Sequence, residues 1–175
     1  MDLNEIKVPE NNTLKNVIED IVELCIERID KSNSYFNDAA SEEQIVNWEE
    51  EHSITIPESY KEWLRFSNGS IIEGTTAEFL GTDRMVVNNK YVPEDLVIIG
   101  HLIGDGEAIC FSKMNGNFVR YFEGIENGQY DDFNDFLNEI IRLIKGHSGI
   151  SKEAEELFMK FVKASQERKK KQFDQ

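Results

Sequence analysis

Residues 108–122 read AICFSKMNGNFVRYF, two apolar runs joined by a polar segment that contains Asn115 and Gly116. Asn-Gly is favoured in tight hairpin turns, because both residues tolerate the positive φ angles that such a turn requires. The flanking runs, Ala108–Phe111 and Phe118–Phe122, are rich in β-branched and aromatic residues, which fit a pleated sheet. This stretch therefore predicts a pair of antiparallel strands.

Further strand-like runs precede the hairpin, with no helical pattern between them. They are separated by glycine and polar residues and cover Ile71–Ile72, Glu78–Leu80, Met85–Val87 and Leu96–Ile99. A doubly wound parallel sheet would need helices alternating with strands. The region therefore predicts a mainly antiparallel sheet whose strand order stays open, and Gly124 and Gly128 are expected to close it.

Helical patterns occur before the sheet region. Apolar residues at three and four spacing predict a helix over residues 13–31, and a polar linker over 31–40 follows it. Ser41 and Gln44 form a capping-box pattern at the start of a second helix. Pro57 fits the first position of a third helix, which Asn68 and Gly69 end. Aromatic residues on these helices are interpreted as core: Trp48, Tyr60 and Trp63.

Two more helices are predicted after the sheet. Asp131 or Asp132 can cap a helix that starts near Phe133 and ends at Gly146, and a last helix is predicted over 151–170. The chain has 175 residues, which suits one domain with one core. The predicted fold class is α+β, a mainly antiparallel sheet flanked by N-terminal and C-terminal helices.

The chain is strongly acidic. It has 34 acidic and 19 basic residues, with a formal net charge of -15. Such a chain repels phosphate backbones, which argues against direct nucleic-acid binding. The charge fits either attraction to a basic protein partner or a role in solubility alone. Residues 1–10 contain no apolar run and no stretch is long enough to span a bilayer. With two cysteines and no CxxC pattern, a cytoplasmic protein without membrane contact is expected.

Residues 44–69 read QIVNWEEEHSITIPESYKEWLRFSNG, which resembles the signature of the SUKH superfamily. The shared features are the Trp48–Glu49 pair, the Ile56–Pro57 turn into a helix, Tyr60, and the closing Asn68–Gly69 pair. Similar features follow from Val97 to Tyr121 and in the helix Phe133–Ile144. The resemblance covers about residues 41–145, which would form the core of a single SUKH-like domain over 1–175.

The resemblance implies an α+β fold and a function in binding. The superfamily consists mainly of bacterial immunity proteins that neutralise toxins, many of them nucleases or deaminases, and it includes a fungal regulator of cell-wall assembly. The hypothesis is therefore a cytoplasmic immunity protein for a cognate toxin with a basic active-site surface. A regulatory scaffold that binds host proteins is the alternative, and neither reading needs an enzyme or a cofactor.

Patterns that would indicate catalysis or metal binding fail on spacing. Gly104, Asp105 and Gly106 lack the third glycine of a dinucleotide loop, and residues 131–142 do not follow the ligand order of a calcium loop. The three histidines have no zinc-site spacing, and GHSG at 146–149 is shorter than a nucleophile elbow. An acid–base pair such as Glu123 with Glu126 would need a cleft that no pattern specifies.

Partner contacts are expected from carboxylates that fall in turns. Glu49 is the exception, because it lies beside Trp48 on a helix and would either accept a structural hydrogen bond or line a groove. The predicted partner-binding residues are Glu49, Asp83, Asp105, Glu107, Glu123, Glu126, Asp131 and Asp132.

Overall fold

The computed structural model describes residues 3–28, 33–74, 76–102 and 106–147. The chain divides into two compact units, Met1–Ile141 and Arg142–Gln175. The first unit contains every strand described below and three complete α-helices. Of the second unit, the structure describes the end of one helix, so the predicted helix over 151–170 lies outside the described residues.

In the described part of the chain, α-helices form at the predicted positions, although the last one runs through Gly146, which was expected to end it. The described helices are a short 3-10 helix Leu3–Glu5 and four α-helices, Lys15–Glu27 (α1), Glu42–His52 (α2), Glu58–Leu64 (α3) and Phe133–His147 (α4). The capping box of α2 is confirmed, because Ser41 Oγ accepts from Gln44 N and Gln44 Oε1 accepts from Ser41 N. Pro57 precedes α3 instead of opening it, and the helix ends at Leu64, before Asn68.

Eight short strands form a single antiparallel sheet in the described residues. They are Tyr35–Phe36 (β1), Ser70–Ile72 (β2), Ala77–Phe79 (β3), Val86–Val87 (β4), Leu96–Leu102 (β5), Ala108–Ser112 (β6), Phe118–Phe122 (β7) and Ile125–Tyr130 (β8). The order is β1-β2-β3-β5-β6-β7-β8, and β4 pairs with β5 next to β3. The predicted hairpin is β6–β7, and the α+β class with its mainly antiparallel sheet is confirmed.

Two strands were not predicted. The polar linker contains β1, which pairs with β2 through Tyr35–Ile71 and Phe36–Ser70. The expectation that Gly124 and Gly128 close the sheet was wrong, because β8 follows Gly124 and includes Gly128. Glu123 and Gly124 turn the chain between β7 and β8 with φ angles of 48° and 89°, so Gly124 makes a hairpin turn instead of ending the sheet.

One face of the sheet packs against α3 and α4. Tyr60, Trp63 and Phe133 from these helices are fully buried, as their spacing predicted for the first two. Trp63 stands edge-on to Phe79 of β3 with ring centroids 4.9 Å apart, and Phe133 lies 5.1 Å from Phe118 of β7. Edge-to-face contacts such as that of Trp63 with Phe79 add to the stabilisation from burial.

The other face of the sheet carries one row of side chains across seven strands. Partner residues in antiparallel strands point to the same face, and the register joins Tyr35, Ile71, Glu78, His101, Ala108, Tyr121 and Glu126. Tyr35 and Glu126 at the two ends of the row are exposed, while His101 and Tyr121 are half-buried. We refer to this as the open face.

The burial of Tyr60 predicts that the protein loses stability at alkaline pH. Its Oη donates to the carbonyl oxygen of Leu80 at 2.7 Å, and burial raises the pKa of Tyr60 well above its ordinary value of 10.0. Above pH 10 the phenol ionises in the unfolded chain and stays neutral in the folded one, so each further pH unit lowers the free energy of unfolding by about 1.4 kcal/mol.

Urea unfolding between pH 8 and pH 11 tests this dependence. Tyr60→Phe should reduce the slope above pH 10, whereas Tyr91→Phe should not, because Tyr91 is 75% exposed. Equal slopes for the wild type and Tyr60→Phe would show that Tyr60 is not the titrating group.

Candidate functional site

Glu49 makes structural contacts within the fold. Its Oε1 accepts a hydrogen bond from the backbone N–H of Ile56 at 2.7 Å and lies 2.9 Å from Lys61 Nζ. These contacts connect α2 to the turn that leads into α3. Of the two roles that the sequence left open for Glu49, the structure shows the structural hydrogen bond.

Glu107 is buried, although the sequence placed it on an exposed turn. Its side chain is 6% exposed and its Oε2 lies 3.7 Å from Arg120 Nε of β7. Asn127 Nδ2 donates to the other carboxylate oxygen at 2.8 Å. Arg120 also lies 3.9 Å from Glu139 of α4. The carboxylate of Glu107 therefore belongs to a cluster of charged groups with Arg120 and Glu139, and it does not project to solvent.

Four of the predicted carboxylates are exposed at the two ends of β8. Glu123 and Glu126 lie at the β7–β8 turn, and Asp131 and Asp132 follow the far end of the strand. At about 3.4 Å per residue the two pairs are roughly 17 Å apart. Asp132 also caps α4, since its Oδ1 accepts from the backbone N–H of Asp135 at 2.9 Å.

Glu123 and Glu126 do not have the arrangement that acid–base chemistry needs. Such pairs place one carboxyl in an apolar environment and the other in a polar one, whereas both of these side chains are exposed. Across the described ranges, no group of three or more His, Cys, Asp or Glu side chains is arranged as metal ligands.

Asp83 lines a polar cleft of about 470 Å³ at the edge of the sheet, together with Asp38 and Arg84. Asn68 and Gly69, which close the segment at 44–69, also line it. Asn68 Oδ1 accepts from the backbone N–H of Thr82 at 2.7 Å, which fixes one wall of the cleft.

Arg84 connects this cleft to the open face. Its Nη2 lies 2.8 Å from Glu78 Oε1, and Glu78 pairs with His101 across β3 and β5. The remaining predicted residue, Asp105, lies outside the described residues.

The open face contains a groove that was not predicted from the sequence. Its volume is about 250 Å³, and its walls come from the loop after β4 and from strands β5 to β7. The lining residues that matter below are Tyr91, Val92, Ile98, His101, Tyr121 and Glu123. Alternation along β7 could have placed Tyr121 on one face, but the register that adds His101 depends on pairing between distant strands.

Both cysteines are buried and have unreactive surroundings. Burial raises the pKa of the Cys110 thiol to about 12, with a smaller contribution from the charge of Asp95. Burial also raises the pKa of Cys25. Because the thiolate is the nucleophilic form of cysteine, neither thiol is suited to covalent catalysis.

Comparison with known proteins identifies one family. The model of the SMI1 / KNR4 family (SUKH-1) matches residues 39–139, which include α2, α3, all strands from β2 to β8 and the first half of α4. No curated protein shows a significant match to the chain. Within the described ranges, no helix combines the length and the apolar character of a membrane span.

Proposed function

The chain belongs to the SMI1 / KNR4 family (SUKH-1), and from this premise we propose that it is a cytoplasmic immunity protein that binds and neutralises a cognate bacterial toxin. Membership in this family supports a role in toxin immunity or in regulation. The protein acts by binding, without catalysis or a cofactor. Its target is a nuclease or another toxin that acts on nucleic acids, with a basic active-site surface.

The observation that carries the proposal is the position of the acidic side chains. The chain has a formal net charge of -15. A group of predicted carboxylates is exposed in β8 and in the segments next to the strands: Asp83, Glu123, Glu126, Asp131 and Asp132. A nuclease site is basic because it holds phosphates, so an acidic protein surface is complementary to it. Long-range attraction between opposite charges also speeds association.

Co-expression with the product of the adjacent upstream gene tests the proposal. We expect a complex that survives affinity purification at low salt and that rescues growth of cells producing the toxin. Its affinity should fall by about tenfold or more at 1 M salt, where the screening length is about 3 Å. No complex and no rescue would reject toxin immunity and leave a regulatory scaffold as the function within the family.

A matched pair of variants distinguishes the effect of this acidic surface on toxin binding from the effect of net charge. The surface variant carries Asp83→Asn, Glu123→Gln, Glu126→Gln and Asp131→Asn. The control variant removes four exposed charges from the helices instead, through Asp20→Asn, Glu23→Gln, Glu50→Gln and Glu51→Gln. We expect the first to weaken toxin binding about tenfold or more and the second to change it little. Equal effects would show that net charge, and not this surface, determines affinity.

A further inference from the structure

The open face combines an exposed aromatic side chain with a groove and a row of polar groups. We propose that it docks a basic segment of the protein partner, with an arginine side chain entering the groove between Tyr91 and Tyr121. This inference rests on the proposed function, because it assigns the binding surface of the same interaction. It adds Tyr91, His101 and Tyr121 to the acidic residues as partner contacts.

The size of the groove favours a side chain as its occupant. Pockets for small-molecule ligands typically have volumes of about 300–1,000 Å³, and this groove has about 250 Å³. Tyr91 is 75% exposed, and its backbone N–H donates to Asn89 Oδ1 at 2.8 Å, which holds the loop in a local turn. Tyrosine is one of the residue types enriched among those that contribute most to protein–protein binding.

The charges around the groove favour a cation. Among the described residues that line it, none is Lys or Arg, and Glu123 contributes a carboxylate. Glu126 pairs with Tyr121 across β7 and β8, so a second carboxylate lies on the same face. A guanidinium in the groove could therefore stack on an aromatic ring and pair with a carboxylate, which suits arginine better than lysine.

Tyr91 already interacts with a cation of its own chain. Lys90 Nζ lies 4.8 Å from the centroid of the Tyr91 ring, within the distance at which the face of an aromatic ring attracts a positive charge. An arginine from the partner would take the place of Lys90 on this ring or stack on its opposite face.

The test uses the full-length chain labelled with ¹⁵N and a synthetic peptide of alternating arginine and leucine. We expect the amide resonances of Tyr91, His101 and Tyr121 to shift on titration. The matching peptide of lysine and leucine should bind more weakly, because a planar guanidinium stacks on an aromatic ring and pairs with a carboxylate through two parallel hydrogen bonds, whereas an ammonium is a strongly hydrated point charge. Shifts that map to Asp83 or Asp131, or no binding, would overturn the proposal.

Variants distinguish docking in the groove from general electrostatic attraction between the basic peptide and the acidic protein. Tyr91→Ser should weaken binding of the arginine peptide about two- to fivefold, as for loss of an exposed cation–π contact. Glu126→Lys should weaken it further, while Glu50→Lys on α2 makes the same charge change at an exposed position outside the open face. Unfolding in urea should be unchanged in Tyr91→Ser, and equal effects of the two lysine variants would overturn the proposal.

Other occupants of the open face give different results. If the chain's own basic residues at 160–171 occupied the groove, salt without peptide would shift the Tyr91 and Tyr121 amides as strongly as the peptide does. A second copy of the chain would make these shifts depend on protein concentration. Either result would overturn the proposal.

The two proposals can fail independently. If the toxin fails to bind but the arginine peptide maps to the groove, the proposed function fails and the docking surface stands. If the toxin binds but the peptide does not map to the groove, the docking surface is rejected and the proposed function stands.

Discussion

Replacing Phe133 with alanine is expected to lower the free energy of unfolding by about 3–5 kcal/mol, the usual cost of removing a large aromatic side chain from a core. Phe133 is fully buried at the start of α4. Its ring has centroid distances between 4.9 and 5.8 Å to the rings of five residues, Tyr60, Trp63, Phe79, Phe118 and Phe136. Helix and strand aromatics meet at this ring, so its loss leaves a cavity that no single neighbour can fill.

Urea unfolding followed by tryptophan fluorescence measures this effect, because Trp63 lies beside the ring. Ile125→Ala is the control, since Ile125 is 62% exposed and its truncation should change stability by less than about 0.5 kcal/mol. A loss below about 1.5 kcal/mol for Phe133→Ala would show that α4 does not pack on the sheet as described.

Replacing Arg120 with methionine is expected to cost about 3 kcal/mol. The guanidinium lies near two carboxylates, those of Glu107 and Glu139, and its Nη2 donates to the carbonyl oxygen of Asn127 at 3.3 Å. Glu107 is 4% exposed, so the substitution leaves its carboxylate buried without the arginine. Removing one member of a buried pair costs far more than the pair contributes in net stability.

The double variant Arg120→Met with Glu107→Met separates these effects. It removes both charges, so we expect it to be more stable than Arg120→Met alone, as seen when buried ion pairs are replaced by apolar residues. Arg84→Met is the control, because the Arg84 side chain is 56% exposed and its pair with Glu78 should contribute at most about 1 kcal/mol. Equal losses for Arg84→Met and Arg120→Met would contradict the burial of the Arg120 cluster.

Features that depend on neighbouring residues were predictable from the sequence. The capping box of Ser41 and Gln44 needs residues three apart, and the β6–β7 hairpin needs a short turn with Asn115 and Gly116. The apolar face of α4 follows from the spacing of Phe133, Phe136 and Leu137, all of which are fully buried. Each of these signals lies within a few residues, where local geometry determines the outcome.

Strand β8 could not be predicted, because the role of Gly128 within it depends on a residue in another strand. Gly128 stands opposite Arg120, and a Cβ at Gly128 would come within 3.2 Å of Arg120 Nε and 2.9 Å of Tyr130 Oη. The glycine therefore makes room for the buried guanidinium. Read without that partner, a glycine within a polar stretch predicts a break in the sheet.

The candidate site was predictable in part for the same reason. The exposure of Glu123 and Asp131 was predictable because polar residues in turns face solvent, whereas the exposed Glu126 lies in β8. Glu49 and Glu107 pair with Lys61 and Arg120, and each of these partners is brought close by tertiary packing. The open face depends on the register of six strand pairs, of which the sequence predicted one.

The chain order of the strands also sets the order in which the sheet can form. Strands β5 to β8 follow one another along the chain, and each pairs with the next, so only short loops must close between them. β1 instead pairs with β2 after α2 and α3 have intervened, which makes its closure entropically more costly. We therefore expect folding to start in the β5–β8 meander and to reach β1 last. In the native protein, we expect the two-residue ladder at Tyr35 and Phe36, at the edge of the sheet, to be among the first parts of the sheet that thermal fluctuations open.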